Sequence, residues 1–434
     1  MRSQTERLYF IAEKFLVVAA LLYFMGAVIP LLQNPNHQIS EAQASDTFSL
    51  ILELTVYAGT VIFIIPHRRQ LLAVLKSNLV LCSLLALVLL SCIWSPVALF
   101  TLRRAIVFLF TTTFALYFGT RFEPREQIRL VSLALAICVV LSIAFLVVLP
   151  DYGADAAYAG AWRGVFFHKN ALGLYMVVAT VTFLCFHAET IFELAGKWLL
   201  VLLSVGLLIG SQSAGSYVVM LAAIVLIPLF RLLHIYWKRL IPAGTIILAF
   251  LLVAVGYLLS HIDIALQMLG KDATLTGRIP LWKTVLALSE AHRGLGYGFG
   301  GFWAVNSGAV WLSINWKPGK AHNGFIDILL ELGVVGLCIF ALNTVIAAWR
   351  SVKLIARERT QESQWPLLML SVILLYGLFE INLILPNNFM WIAYVLVTVS
   401  TQRAWSFSSA AAPSLAPPPQ PALATAGGYE PCPQ

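Results

Sequence analysis

Three short stretches of this chain hold residue types from which a group-transfer site can be built. The first is Trp162-Arg163-Gly164-Val165-Phe166-Phe167-His168-Lys169-Asn170. Within it a guanidinium, an imidazole, an ammonium and a carboxamide fall close together beside three aromatic rings. Arginine presents a planar fork of donors matched to phosphate oxygens. Asn170 is a candidate cap for the helix that follows, whose first amides would also favour an anion. The other reading is an interfacial belt of Trp and Phe with snorkelling cations, and residue types alone leave both open.

The second stretch, Leu275-Thr276-Gly277-Arg278-Ile279-Pro280, leads into Leu281–Leu288. Thr276 or Gly277 can precede a helix, and proline is tolerated in a first turn. Apolar positions 281, 282, 285, 286 and 288 line one side, which predicts a helix lying on the membrane surface or on the bundle. Arg278 then stands near its positive end, where phosphate would bind, although an ordinary snorkelling arginine fits as well. The third stretch is His322-Asn323-Gly324-Phe325-Ile326-Asp327. Asn323 is the expected N-cap, so His322 stands at the open end of an apolar helix. An unperturbed imidazole titrates near about pH 6.5 and suits a general base; a structural histidine at a helix start is the alternative. Asp327 and Glu331, four apart on one helical face, join Glu53 and Glu380 as carboxylates in apolar runs, where charge is expensive without a partner.

A fourth run, Gly294-Leu295-Gly296-Tyr297-Gly298-Phe299-Gly300-Gly301-Phe302-Trp303, carries alternate glycines. No Lys-Ser/Thr follows, and no strand–helix unit surrounds it, so a nucleotide loop is unsupported. A flexible turn edged by rings would suit carbohydrate, or it is simply a tight loop. The eight histidines show no metal-ligand spacing and no Ser-His-Asp order, so neither a metal nor any other cofactor is expected.

These residues must be positioned by helices in lipid. Of 434 residues, 60% are apolar and 11% charged, against about 25% charged in a soluble domain. A span needs about 20 mostly apolar residues, and runs at 13–32, 48–66, 78–95, 102–119, 129–150, 171–190, 197–211, 216–231, 240–260, 324–349, 366–385 and 388–402 qualify. The expected fold is all-α and polytopic, with about 12 transmembrane helices and one long external loop, 261–323, containing short helices. The first run is read as a retained signal anchor. With the N-terminus inside, 18 of the 28 Lys and Arg lie in inner segments and six of the remainder in the long loop, as the positive-inside rule requires. The other four, Arg103, Arg104, Arg163 and Lys169, are misplaced for topology alone, which invites a functional reading. The formal charge of +8 is scattered, so no nucleic-acid partner is expected. The six cysteines fall singly and read as small core residues. Residues 1–402 form one transmembrane domain, and 403–434, rich in Ala and Pro, are expected to be a disordered cytoplasmic tail.

In this order, the motifs Trp162–Gly173, Thr276-Gly277-Arg278…Trp282 and Ala321-His322-Asn323-Gly324-Phe325…Asp327…Glu331-Leu332-Gly333 resemble the O-antigen ligase and polysaccharide polymerase superfamily, in particular its exopolysaccharide polymerase-like branch. The resemblance implies a bacterial inner-membrane glycosyltransferase with both termini cytoplasmic and its active site facing the periplasm. Its donor would be a polyprenyl diphosphate-linked glycan and its acceptor a glycan or lipid A-core. The resemblance also implies that Arg163 and Arg278 engage the diphosphate and that His322 is the base activating an acceptor hydroxyl. Arg103, Arg104, His168, Lys169, Asn170 and Asn323 join them as substrate-binding candidates, from position on the same face. The reaction expected is metal-independent and inverting, in repeat-unit polymerisation or in ligation to lipid A-core. A transporter for a lipid-linked glycan would share the spans, but should show repeats or charge near the midplane.

Overall fold

The computed structural model describes residues 4–27, 47–155, 158, 160–232, 278–314, 319–358, 360–380 and 383–410. Long apolar runs leave the backbone no partners but its own, and in lipid this selects helix. The helices are α1 (Gln4–Phe24), α2 (Thr47–Ile64), α3 (Arg68–Ser77), α4 (Leu79–Leu90), α5 (Ala98–Arg121), α6 (Pro124–Val148), α7 (Lys169–Cys185), α8 (Ile191–Ser211), α9 (Ala214–Leu232), α10 (Arg278–Leu288), α11 (Gly301–Ile314), α12 (Gly324–Glu358), α13 (Trp365–Gly377) and α14 (Phe389–Ala410). No strand forms among the described residues; one isolated bridge joins Ala154 and Trp162.

The expected all-helical fold is therefore what forms, and two short helices, α10 and α11, stand between the main apolar segments. The count of twelve spans is not confirmed among the described residues. Among the described residues six helical runs are long and apolar enough to cross a membrane: Leu50–Ser77, Ala98–Arg121, Pro124–Val148, Ile191–Ser211, Ala214–Leu232 and Gly324–Glu358. The run 240–260 lies outside the described residues, and α4 and α7 are shorter apolar helices. The expected span 366–385 breaks early because α13 stops at Gly377, leaving Glu380 in the connector. At the far end α14 runs on through Arg403 to Ala410, past the boundary expected at 402.

The core gathers around α5 and α14, where Phe108, Trp391 and Tyr394 are fully buried. Phe108 packs on Trp391 at 4.6 Å and on Phe299 at 5.1 Å between ring centroids, and the Trp391 indole donates to Thr112 Oγ1 at 2.8 Å. Small residues bring helices together, as expected in lipid: a side chain at Gly173 of α7 would collide with Ser213 and Ser216. One end of the bundle collects paired cations. Arg121 clasps the buried Glu13 through Nε and Nη2, the latter at 2.6 Å from Oε2, while Arg403 Nη1 donates to the carbonyls of Gly119 and Phe122.

The glycine run is explained by the opposite end. Helix α12 is kinked at Gly333, whose φ is +66° and ψ −169°. The kink releases the amides of Val334 and Val335 from their own helix, and they donate instead to the carbonyls of Arg293 (2.8 Å) and Gly294 (3.2 Å). In return Tyr297 N donates to Leu330 O at 2.9 Å. Gly296, Gly298 and Gly300 all have positive φ, and a Cβ on them would strike Glu331 and Leu332 backbone, Ser95, and Arg104. The run is thus a backbone seam joining the loop to α12 at Gly296 and to Ser95 and Arg104 beside it at Gly298 and Gly300, with glycine set by conformation and close approach.

The two ends of α12 carry the topology. In a cysteine-free background we expect a cysteine at Ser307, exposed on α11, to react with an impermeant maleimide on intact spheroplasts. One at Arg357, exposed at the far end of α12, should react only after permeabilisation. The opposite labelling pattern would invert the assignment of faces.

Candidate active site

Each of the three motifs sits at a helix entrance on the face opposite the cation-rich end. The first approaches α7 through a chain reversal in which the amides of Arg163 and Gly164 both donate to Gly153 O, at 2.8 and 3.0 Å. Arg163 Nε donates to Tyr152 O at 2.7 Å, so the stem is anchored and the outer pair of nitrogens forms the fork. The cap of α7 is His168, whose Nδ1 accepts from Asn170 N at 3.1 Å. This corrects the expectation that Asn170 would cap this helix: its carboxamide is spent elsewhere. The Lys169 amide donates to the buried Asp155 Oδ2 at 2.8 Å, and His168 Nε2 lies 3.9 Å from the same oxygen. The Lys169 ammonium stands 4.1 Å over the Tyr158 ring.

Helix α10 begins at Arg278 and packs on the bundle cap, not on open membrane surface. Leu281 and Val285 are buried with Phe302 and Val310 of α11, Ala321, and Leu330 of α12. The third motif forms the entrance to α12. Asn323 is its cap as expected, Oδ1 accepting from Phe325 N at 3.0 Å and Ile326 N at 3.2 Å. With that oxygen engaged by the helix, any contact from Asn323 to a substrate would fall to its amide nitrogen.

What joins the motifs is Glu380. Its Oε1 accepts from Asn170 Nδ2 at 3.3 Å and lies 4.0 Å from Arg278 Nη2; its Oε2 lies 3.6 Å from His322 Nδ1. One residue from each motif therefore meets a single carboxylate. Burial alone would raise the Glu380 carboxyl, but contact with His322, then Arg278 and Lys320, outweighs it and holds the group below the usual carboxylate range. An ionised Glu380 attracts a proton on His322 Nδ1, which leaves Nε2 as the basic nitrogen. At 4.0 Å Arg278 makes an ion pair, not a hydrogen bond, so its fork remains directed by charge yet available to phosphate oxygens.

Of the other candidates, Arg104 lies under the loop, its guanidinium 5.2 Å from the Phe299 ring, and lines a small enclosed cavity with Asp327 and Glu331. Arg103 is exposed on α5, and no contact joins it to the Glu380 cluster among the described residues. Thr276 and Gly277, which precede Arg278, lie outside the described residues. Sequence reasoning missed Glu380 as the meeting point. The available signal was its cost: a carboxylate in an apolar run must find donors.

A known family and a known protein match the chain. A family model described as O-antigen ligase matches residues 199–341, which takes in Arg278 and His322 but neither Arg163 nor Glu380. The chain is 26% identical over 311 residues to the exopolysaccharide production protein ExoQ of Rhizobium meliloti (strain 1021), covering 68% of this chain and 70% of that protein. Both matches support the resemblance of this chain to the O-antigen ligase and polysaccharide polymerase superfamily.

For Glu380→Gln, which keeps size and an acceptor but loses the charge, we expect at least a tenfold fall in turnover by protein that still folds at neutral pH. Because the carboxyl is held low in the folded state, its stabilising contribution is full at neutral pH and is lost as pH falls through that depressed value. The Tm gap between wild type and Glu380→Gln should therefore close in acid, below the ordinary carboxylate range. A gap that widens in acid, or unchanged turnover, would reduce Glu380 to a packing residue.

Proposed function

We propose that this protein is a bacterial inner-membrane glycosyltransferase that polymerises repeat units, moving glycan from a polyprenyl diphosphate donor to a sugar hydroxyl of a second lipid-linked glycan. The observation that carries the reading is the meeting of Asn170, Arg278 and His322 on Glu380. A guanidinium that binds diphosphate is thereby held beside an imidazole that can accept a proton.

In the step proposed, the acceptor oxygen attacks the anomeric carbon and a bond forms between them. The bond from that carbon to the diphosphate oxygen breaks, and its electron pair leaves with the polyprenyl diphosphate. His322 Nε2 takes the hydroxyl proton, an assistance typically worth about 10²–10⁴-fold. Arg163 and Arg278 face the charge that grows on the leaving oxygen; one preorganised donor of this kind is worth about 2.7–4 kcal/mol. Attack from the side opposite the leaving group inverts the anomeric centre. The imidazole and the guanidinium forks suffice for this chemistry, so we propose it as metal-independent. Arg103, Arg104, His168, Lys169, Asn170 and Asn323 extend the polar surface available to donor or acceptor. The site faces the periplasm, with both termini cytoplasmic, which agrees with the cations Arg121 and Arg403 gathered at the other end.

The name of the relative, an exopolysaccharide production protein, favours polymerisation. The description of the matching family model, O-antigen ligase, favours the second reading, transfer to lipid A-core. For that acceptor Lys271, Lys283, Arg293, Lys317 and Lys320 would supply the contacts; they are interleaved with Trp303, Trp311 and Trp316 and form no dense cluster in the sequence.

We expect purified protein given only lipid-linked repeat units from the parent cells to make a ladder of longer products. No ladder, with transfer once lipid A-core is added, would establish the ligase reading instead. In the same assay Arg163→Ala and Arg278→Ala should each lower turnover at least 100-fold, and Arg→Lys should recover only part, because an ammonium lacks the two-pronged fork. Full activity in either alanine variant removes that arginine from the site.

A further inference from the structure

His322 adopts φ +50°, a left-handed conformation sparsely populated by residues that carry a Cβ and held only where the surroundings over-determine it. The surroundings here do so through the residue before it. Ala321 is fully buried, and side chains engage both its peptide groups. Its N–H donates to Asp327 Oδ1 at 3.2 Å, and its carbonyl accepts from Trp282 Nε1 at 2.8 Å. Asp327 Oδ1 also accepts from Trp303 Nε1 at 2.8 Å. An indole from α10 and a carboxylate from α12 thus close on the one residue that sets where His322 begins, and an indole from α11 holds that carboxylate. Asn323 Oδ1 fixes the residue after it.

Asp327 is 6% exposed and stands one turn inside α12. A buried carboxylate is costly unless it is hydrogen-bonded, and these bonds tie it to the His322 turn. An apolar residue would pack there without that cost, but could not accept from Ala321 N or Trp303 Nε1.

We infer that Asp327, oriented by Trp303, is a positioning residue that directs the His322 imidazole at the acceptor hydroxyl. Asp327 acts through the backbone and touches no substrate. Its role rests on the reading of His322 as the base. A misplacement of about 1 Å in a catalytic group can cost about 10²-fold in rate, so the effect belongs in kcat and not in donor binding.

The test uses full-length protein in detergent with lipid-linked repeat units purified from the parent cells, and measures kcat, donor KM and Tm. Asp327→Leu should lose about 100-fold in kcat with donor KM within twofold of wild type. Asp327→Asn, whose amide oxygen can accept the same two bonds, should stay within threefold. Trp303→Phe, which keeps the ring and removes one donor, should lose about tenfold in kcat with KM and Tm unchanged; it carries the test should Asp327→Leu fail to insert. The inference is overturned if Asp327→Asn is as inactive as Asp327→Leu, since charge and not hydrogen-bond acceptance would then matter. It is overturned equally if donor KM rises as far as kcat falls, or if Trp303→Phe matches wild type. His322→Gln separates the two levels. If it retains wild-type kcat, the base assignment itself fails. If it is inactive while Asp327→Leu and Trp303→Phe are fully active, only the positioning role fails.

Discussion

A carboxylate placed at the broken end of an apolar helix has to be met by donors, because neither lipid nor packed side chains can solvate it. Glu380 is in that position: α13 has ended at Gly377, and the carboxyl turns to Asn170, Arg278 and His322. Those three residues come from segments more than a hundred and fifty positions apart at the extremes. None of the contacts is short, but together they make one charge the common partner of the arginine and the histidine of the site. In the mechanism proposed, phosphate binding and proton abstraction would thereby be coupled, since whatever draws Arg278 away from Glu380 also changes the field at His322.

That coupling needs a rigid frame, and the frame is α12. A helix with unbroken hydrogen bonds would have no spare amides, and the loop before it would have nothing to dock on. Gly333 opens the ladder, Arg293 and Gly294 fill it, Gly296 lets the loop backbone lie flush against the helix, and Gly298 and Gly300 let it approach Ser95 and Arg104. Nearer the start of the same helix, Asp327 collects Trp303 and Ala321. The loop helices α10 and α11 are accordingly parts of the support for His322. The small apolar core they share with Ala321 and Leu330 is what their exposed surroundings leave them to bury. The run of glycine and aromatic residues that resembles a sugar-binding turn in the sequence has this structural task in the fold.

Local chemistry was legible in the sequence where one residue answers to its neighbours. Apolar runs in lipid must be helical, so the all-helical fold followed from composition and period. Asn323 before Gly324 caps α12 because a short carboxamide is the group that reaches the first free amides. Arg278 stands at the first described position of α10, with Pro280 in the same turn, where proline is tolerated. Even so, the cap of α7 fell to His168 and not Asn170, since the tertiary demand of Glu380 on the Asn170 carboxamide outweighed a local preference. The span count also went beyond what pattern can determine: α13 stops short where Glu380 needs its partners, and a hydropathy window averages over such a break. Which groups meet is a property of packing alone. The Glu380 hub and the Gly333 seam pair residues from segments far apart in the chain, and a contact between them leaves no periodic trace in either segment. The sequence by itself determined the helical class and the residue types at the helix entrances; only the tertiary structure decided where α13 and α14 end and which carboxylate serves which donor, because that depends on distances that no spacing along the chain encodes.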